Sequence, residues 1–174
     1  DALAARILAR PGTHFAEIKG GEVNPTELVA ALINEEATLV AGIRAAQEAI
    51  DGSCSLLLLT DDAIYAARDR FGRTPLTVGM KEDAWAVTLE TAALPNLGYD
   101  VVRPLGPGEI VRLRPDGVEV LAPAGDKLQI CAFLWVYFGY PASGYEGVNV
   151  EVVRNRCGAA LAAHDDVAVD LVAG

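Results

Sequence analysis

The sequence predicts an α+β fold, with antiparallel strands lying between helical layers. Three observations lead there. Helix-start and helix-stop signals fill the first fifty residues, short apolar runs separated by turn residues follow from Ser53, and a helical pattern returns at Asn149 before a last apolar run. With 174 residues, 52% of them hydrophobic, the chain can form one domain with a real core, or one domain and part of another.

Ala2 to Ala9 is an alanine-rich helix stopped by Pro11-Gly12. A second helix starts at "NPTELVAALI", where Asn24 can cap, Pro25 suits the first helical position and Glu27 stands three residues after the cap. Leu28, Val29 and Leu32 then face a core. A third helix, Leu39 to Ile50, ends at Asp51-Gly52. Strands follow: "CSLLLL" and "AIYAA" around Thr60-Asp61-Asp62, "PLTVG" and "WAVTLE" around Lys81-Glu82-Asp83, and "EIVRLRPDGVEVL" as a hairpin on Pro115-Asp116-Gly117. Leu56 to Leu59 shows no alternation, so both faces of that strand are expected to be covered. "CAFLWVYFGYPASGYEG" is expected to be a buried aromatic strand running into a loop. Next come a helix from Asn149 to about Ala163 and a strand at "VAVDLVAG", the opening of an unfinished βαβ-type unit.

A net charge of −10 would repel phosphate backbones, so nucleic acid is not an expected partner. The apolar runs are shorter than the roughly 20 residues a membrane span takes, and no leader segment is visible. A cytoplasmic protein without a membrane partner is the expectation. Cys54, Cys131 and Cys157 are widely spaced, which argues against a disulfide framework or a zinc site and for small buried thiols. His14 and His164 read as surface or capping residues. Asp61-Asp62 and Asp165-Asp166 read as turn punctuation, and "GPG" at 106–108 and "GYEG" at 144–147 as turns rather than phosphate cradles.

Between two of the strands lies "YAARDRFGRTPLTVG", residues 65–79, with an Arg-Asp-Arg triplet and a Phe-Gly step. This stretch resembles the Arg-Asp-Pro-x-Gly-Ile/Leu-Arg-Pro-Leu turn of the amidophosphoribosyltransferase family (glutamine phosphoribosylpyrophosphate amidotransferases), which are class II glutamine amidotransferases. "PTELVAALI", "WAVTLETAAL", "VVRPLGPGEIVRL" and "CAFLWVYFGYPASGYEGVNVEVVRNRCGAALA" resemble further segments of the same family, so the likeness runs along almost the whole chain. It implies an N-terminal-nucleophile αββα glutaminase-like sandwich, incomplete at its start, that runs into an α/β phosphoribosyltransferase domain. Residues 1–140 would be the glutaminase-like unit. Residues 141–174 would be the linker, helix and first strand of the transferase unit. The implied activity of de novo purine biosynthesis transfers glutamine-derived ammonia to phosphoribosyl pyrophosphate (PRPP). Glutamine and PRPP are then the expected partners, together with a second copy of the chain or a missing partner segment, and a complete transferase domain would use Mg2+.

The family's chemistry needs an N-terminal cysteine, an arginine for the glutamine carboxylate and an Asn-Gly oxyanion hole. Asp1 cannot act as a thiolate nucleophile, and no PRPP loop is recognisable. The 174 residues alone are therefore expected to be inactive, with no catalytic residue, no assignable substrate-binding residue and no cofactor or metal site of their own. Matched positions also depart from the pattern. Pro25 stands where the family holds the glutamine amino group with aspartate, with Asn24 beside it as a helix cap. Thr74 replaces arginine, Leu89 replaces the serine before Glu90, and Tyr140 and Ala142 replace Arg and Asp. Cys131 sits where some members place one ligand of an iron–sulfur cluster, which takes four, and is expected to be a core thiol. The alternative reading is a catalytically silent glutaminase-fold module for binding or assembly.

Overall fold

In this computed structural model, which describes residues 2–9, 15, 17–18, 22–171 and 173, the chain opens with α1 (Ala2–Leu8). A two-residue ribbon of β1 (Glu17–Ile18) and β2 (Glu22–Val23) follows. α2 (Pro25–Ile33) starts where its signals place it: Asn24 Oδ1 accepts from Thr26 N at 2.9 Å, with Pro25 in the first turn. α3 (Leu39–Ala49) is capped by Thr38, whose hydroxyl accepts from Ala41 N at 3.2 Å. The two helices touch at Gly42, where a Cβ would stand 2.2 Å from the Ile33 carbonyl oxygen, so only glycine permits this approach.

Two antiparallel sheets follow. β3 (Leu56–Leu59), β4 (Ile64–Ala67), β8 (Ile110–Arg114) and β9 (Gly117–Ala122) make one, in the order β3-β4-β8-β9. β5 (Thr77–Lys81), β6 (Ala84–Thr88) and β7 (Asp100–Pro104) make the other, in the order β6-β5-β7. β7 lies beyond the strands the pattern predicts, as does α4 (Ala93–Asn96).

The two-residue period of the strands sorts the core. Ala67, Ile110 and Ala122 face the helices and pack with Ile7, Leu32, Ile33, Ile43 and Ala46. Their neighbours Ala66, Val111 and Leu113 face the other way and pack with Leu76, Val78 and Leu105. The layers are therefore helices, four-stranded sheet and three-stranded sheet. Beyond them α4 sets Leu94 against Gly79, where a Cβ would meet the leucine at 2.6 Å.

Three expectations are corrected here. β3 is not covered on both faces: among the described residues it is an edge strand paired only with β4, and Leu57 (53%) and Leu59 (79%) are exposed. The aromatic run is not a strand but a π turn, Leu134–Phe138, in which Gly139 N donates to Leu134 O. Only Leu134 is buried in that turn, while Val136, Tyr137 and Phe138 are exposed. Among the described residues no strand pairs with the run, and apolar composition alone does not choose between periods. The expected last strand is also absent among the described residues 167–171 and 173, which are irregular, with Val167, Val169 and Leu171 exposed and no strand beside them.

After the π turn come the hairpin β10 (Gly144–Tyr145) and β11 (Val148–Asn149) and then α5 (Val150–His164). Asn149 Oδ1 caps α5 by accepting from Val152 N at 3.1 Å, as its position before the helical pattern implies. Leu134, Tyr145 and Val150 form a small separate core with Ile130 and Trp135 against it. Among the described residues no helix is long and apolar enough to cross a membrane.

Candidate functional site

β4 delivers Arg68 and Asp69 into the core rather than into a solvated loop. Asp69 is 2% exposed and builds the turn that follows it. Its Oδ1 accepts from Phe71 N and Arg73 N at 3.2 and 3.1 Å, and its Oδ2 accepts from Thr74 N at 2.9 Å. Its backbone carbonyl accepts from Gly72 N and Gly108 N. Ser55 accepts from Asp69 N and donates to Thr74 O, while Ser53 donates to Asp69 Oδ2 and touches the Thr74 hydroxyl. Gly72 has φ +65°, and a Cβ there would stand 2.8 Å from Leu128, which explains the Phe-Gly step.

Arg68 is fully buried and ties four parts of the fold together. Its guanidinium donates to Leu105 O at 2.5 Å, to Gly72 O at 2.5 Å and to Glu146 Oε1 at 2.6 Å. Its backbone carbonyl accepts from Gln47 Nε2 of α3 at 2.7 Å, and its N–H donates to Glu109 O. Arg68 Nε and Gln47 Oε1 are buried without a hydrogen-bond partner among the described residues. Beside this cluster, Arg103 grips Glu109 with two bonds, at 3.0 and 2.7 Å, and Glu109 Oε2 accepts from Gly106 N. Burial pushes the Glu109 carboxyl up, but the bonds from Arg103 and Gly106 and the charges of Arg103 and Arg68 outweigh it, leaving the group below its usual value.

A second polar junction holds the segment after the sandwich. Glu90 Oε2 accepts from Tyr140 N at 3.2 Å and from the Tyr145 hydroxyl at 3.3 Å, and Glu90 Oε1 is buried without a partner among the described residues. Ala92 N donates to Ser143 Oγ, and Gly144 N donates to Thr91 Oγ1. Burial and the adjacent Glu90 charge push the Tyr145 phenol up to about 12, so it acts as a neutral donor.

Cys54 is half-buried, and burial followed by the Asp69 charge pushes its thiol up, away from the reactive thiolate. Cys131 and Cys157 are exposed, against the expectation of buried thiols, because one precedes the π turn and the other lies on the open face of α5. Among the described residues no three His, Cys, Asp or Glu side chains gather as a metal-ligand group. His164 lies at the end of α5 with Nδ1 2.8 Å from Ala160 O, in keeping with a capping role, while His14 and Asp1 lie outside the described residues. Asp62 and Asp165 are turn residues: Asp62 accepts from Thr60 and pairs with Arg114, and Asp165 accepts from Val167 N.

The departures from the family pattern fall into place structurally. Asn24 is a helix cap and Pro25 an exposed first-turn residue. Thr74 joins the hydroxyls around Asp69, while Leu89, Tyr140 and Ala142 are exposed. Sequence reasoning named the Arg-Asp-Arg triplet but missed Gln47, Glu146 and the two serines, whose partners lie 14 to 78 residues away.

No family model matches the chain. Among curated proteins it is 35% identical over 125 residues to the amidophosphoribosyltransferase of Mycobacterium tuberculosis, covering 72% of this chain and 24% of that protein. It is 31% identical over 152 residues to that of Bacillus subtilis (86% and 32%) and 28% identical over 148 residues to that of Archaeoglobus fulgidus (84% and 32%). The chain thus spans between a quarter and a third of these relatives. Among solved structures, glutamine PRPP amidotransferase from B. subtilis complexed with ADP and GMP superimposes with a TM-score of 0.83 at 27% identity, covering 97% of this chain and 36% of that one. A structure described as the allosteric regulatory enzyme of purine biosynthesis gives 0.84 at 28% identity over the same shares.

Proposed function

The chain is a partial, divergent match to amidophosphoribosyltransferase, and from that premise we propose that it is the glutaminase-like part of such an enzyme, carrying the first elements of the transferase part. The observation that carries this reading is the superposition over 97% of the chain, from the helices through both sheets to α5. On this reading residues 1–140 are the glutaminase-like unit and residues 141–174 lead into the phosphoribosyltransferase unit. The nucleophilic cysteine, the oxyanion hole and the PRPP loop with its Mg2+ are then supplied by sequence not among these 174 residues. What the present residues contribute is the frame. The stacked sheets carry the Asp69 turn, and the polar junction at Glu90 fixes where the following segment leaves the sandwich.

The test is glutamate release from glutamine by the natural-length gene product, measured with and without PRPP. Release that rises with PRPP, together with phosphoribosylamine formation, is expected, and the 174-residue chain alone should show neither. A natural-length protein that forms no product from either substrate would overturn this reading.

A further inference from the structure

We propose that residues 130–164, which straddle the unit boundary at residue 140 because Ile130, Leu134 and Trp135 pack with Tyr145 and Val150, move as one body and that the β10–β11 hairpin is a lid, latched to the sandwich by the Arg68–Glu146 ion pair. None of the three buried apolar clusters of the described residues contains members from both sides of this junction. The helix–sheet and sheet–sheet clusters use residues up to Ala122, and the third uses only Leu134, Tyr145 and Val150. Inside the body the contacts are dense: Trp135 Nε1 donates to Val148 O at 2.9 Å, and Arg154 reaches from α5 to Trp135 O and Gly139 O at 2.9 and 2.8 Å. The ring of Trp135 also meets that of Tyr145 edge-on, 5.8 Å between centroids.

Across the junction the specific contacts are polar. They are Tyr140 and Tyr145 to Glu90, Ser143 to Ala92, Gly144 to Thr91, and Glu146 to Arg68. The neutral hydrogen bonds among them exchange for water at small net cost once the seam is wet, whereas parting Glu146 from the buried Arg68 guanidinium strands a charge, so the ion pair is the contact that resists opening. The junction is therefore the plane along which the molecule parts.

Glu146 is suited to be the latch. Arg68 stays in the sandwich with its side chain 1% exposed, held by Leu105 O and Gly72 O, while the Glu146 side chain arrives from the hairpin and is 27% exposed. Glu146 also sits at φ +49° in a tight turn with Gly147 at +77°, a conformation that costs energy for a non-glycine residue and that the ion pair helps to hold. Behind the hairpin is a cavity of about 410 Å3, bounded by Thr77, Thr91 and Pro104 on the sandwich side and by Ala142, Tyr145 and Glu146 on the hairpin side. The cavity is partly open to solvent already, and release of Glu146 would widen it on the hairpin side.

Hydrogen exchange and thiol labelling of the natural-length protein test this. In Glu146→Gln, which keeps the shape and removes the charge, exchange at residues 144–150 should rise at least tenfold while β4 and β8 amides stay as they were. A Thr77→Cys probe in the cavity wall, followed by peptide mass spectrometry, should label at least tenfold faster in the Glu146→Gln background. Unchanged exchange and labelling would overturn the latch. An equal rise across β4, β8 and the hairpin would overturn it too, since the pair would then serve the stability of the whole fold.

Discussion

The Asp69 turn and the segment from Ile130 to His164 are both held by buried or half-buried polar side chains, yet they play opposite parts. The turn lies inside the sandwich, flanked by apolar clusters on both faces of the four-stranded sheet, and its polar groups serve a structure that folds around them. The later segment has its own small core and exposes Phe133, Tyr137, Phe138 and Tyr140. Its polar groups join two bodies instead of completing one. What a polar network does is decided by whether an apolar core spans it, not by how many bonds it contains.

That contrast can be broken at several points. Ile43→Ala removes a fully buried side chain between helices and sheet and should cost about 4 kcal/mol in urea unfolding, whereas Leu134→Ala should leave the sandwich transition in place. Asp69→Ala strips the acceptor from the Phe71, Arg73 and Thr74 amides and should cost about 3 kcal/mol. Gly72→Ala, at φ +65° against Leu128, should cost about 2 kcal/mol by the same measurement.

Glu109 sharpens the comparison through pH. Its folded pKa is depressed, so its contribution is whole above the unfolded carboxyl value of about 4.5 and is lost as the pH falls through the lower folded value. Melting temperatures measured from pH 7 to pH 3 should fall more steeply below about 4.5 for the wild type than for Glu109→Gln. The smallest effect belongs to the exposed aromatics: Tyr137→Ser should change unfolding free energy by no more than about 0.5 kcal/mol.

Much of the fold is legible in the sequence because its signals are local. The Asn24 cap, the Pro115-Asp116-Gly117 turn that pairs Arg114 with Gly117, and the Asn149 start of α5 each depend on a few adjacent residues. The exposure of Leu57 and Leu59 depends instead on what packs beside an edge strand, which no local pattern records. The aromatic run misleads for a related reason, since its π turn is held by Arg154 from a later helix. In the candidate site the Arg-Asp-Arg triplet announces a special turn. Its partners Gln47, Leu105 and Glu146 become visible only when the chain has folded.

The most direct test of two bodies sharing one polar seam is a residue-by-residue hydrogen-exchange map of the unmodified natural-length protein in increasing urea. Two classes are predicted: amides of β4 and β8 that exchange only on global unfolding, and amides from 134 to 164 that open together at lower free energy. A single class, with both regions opening at one free energy and one urea dependence, would contradict the account.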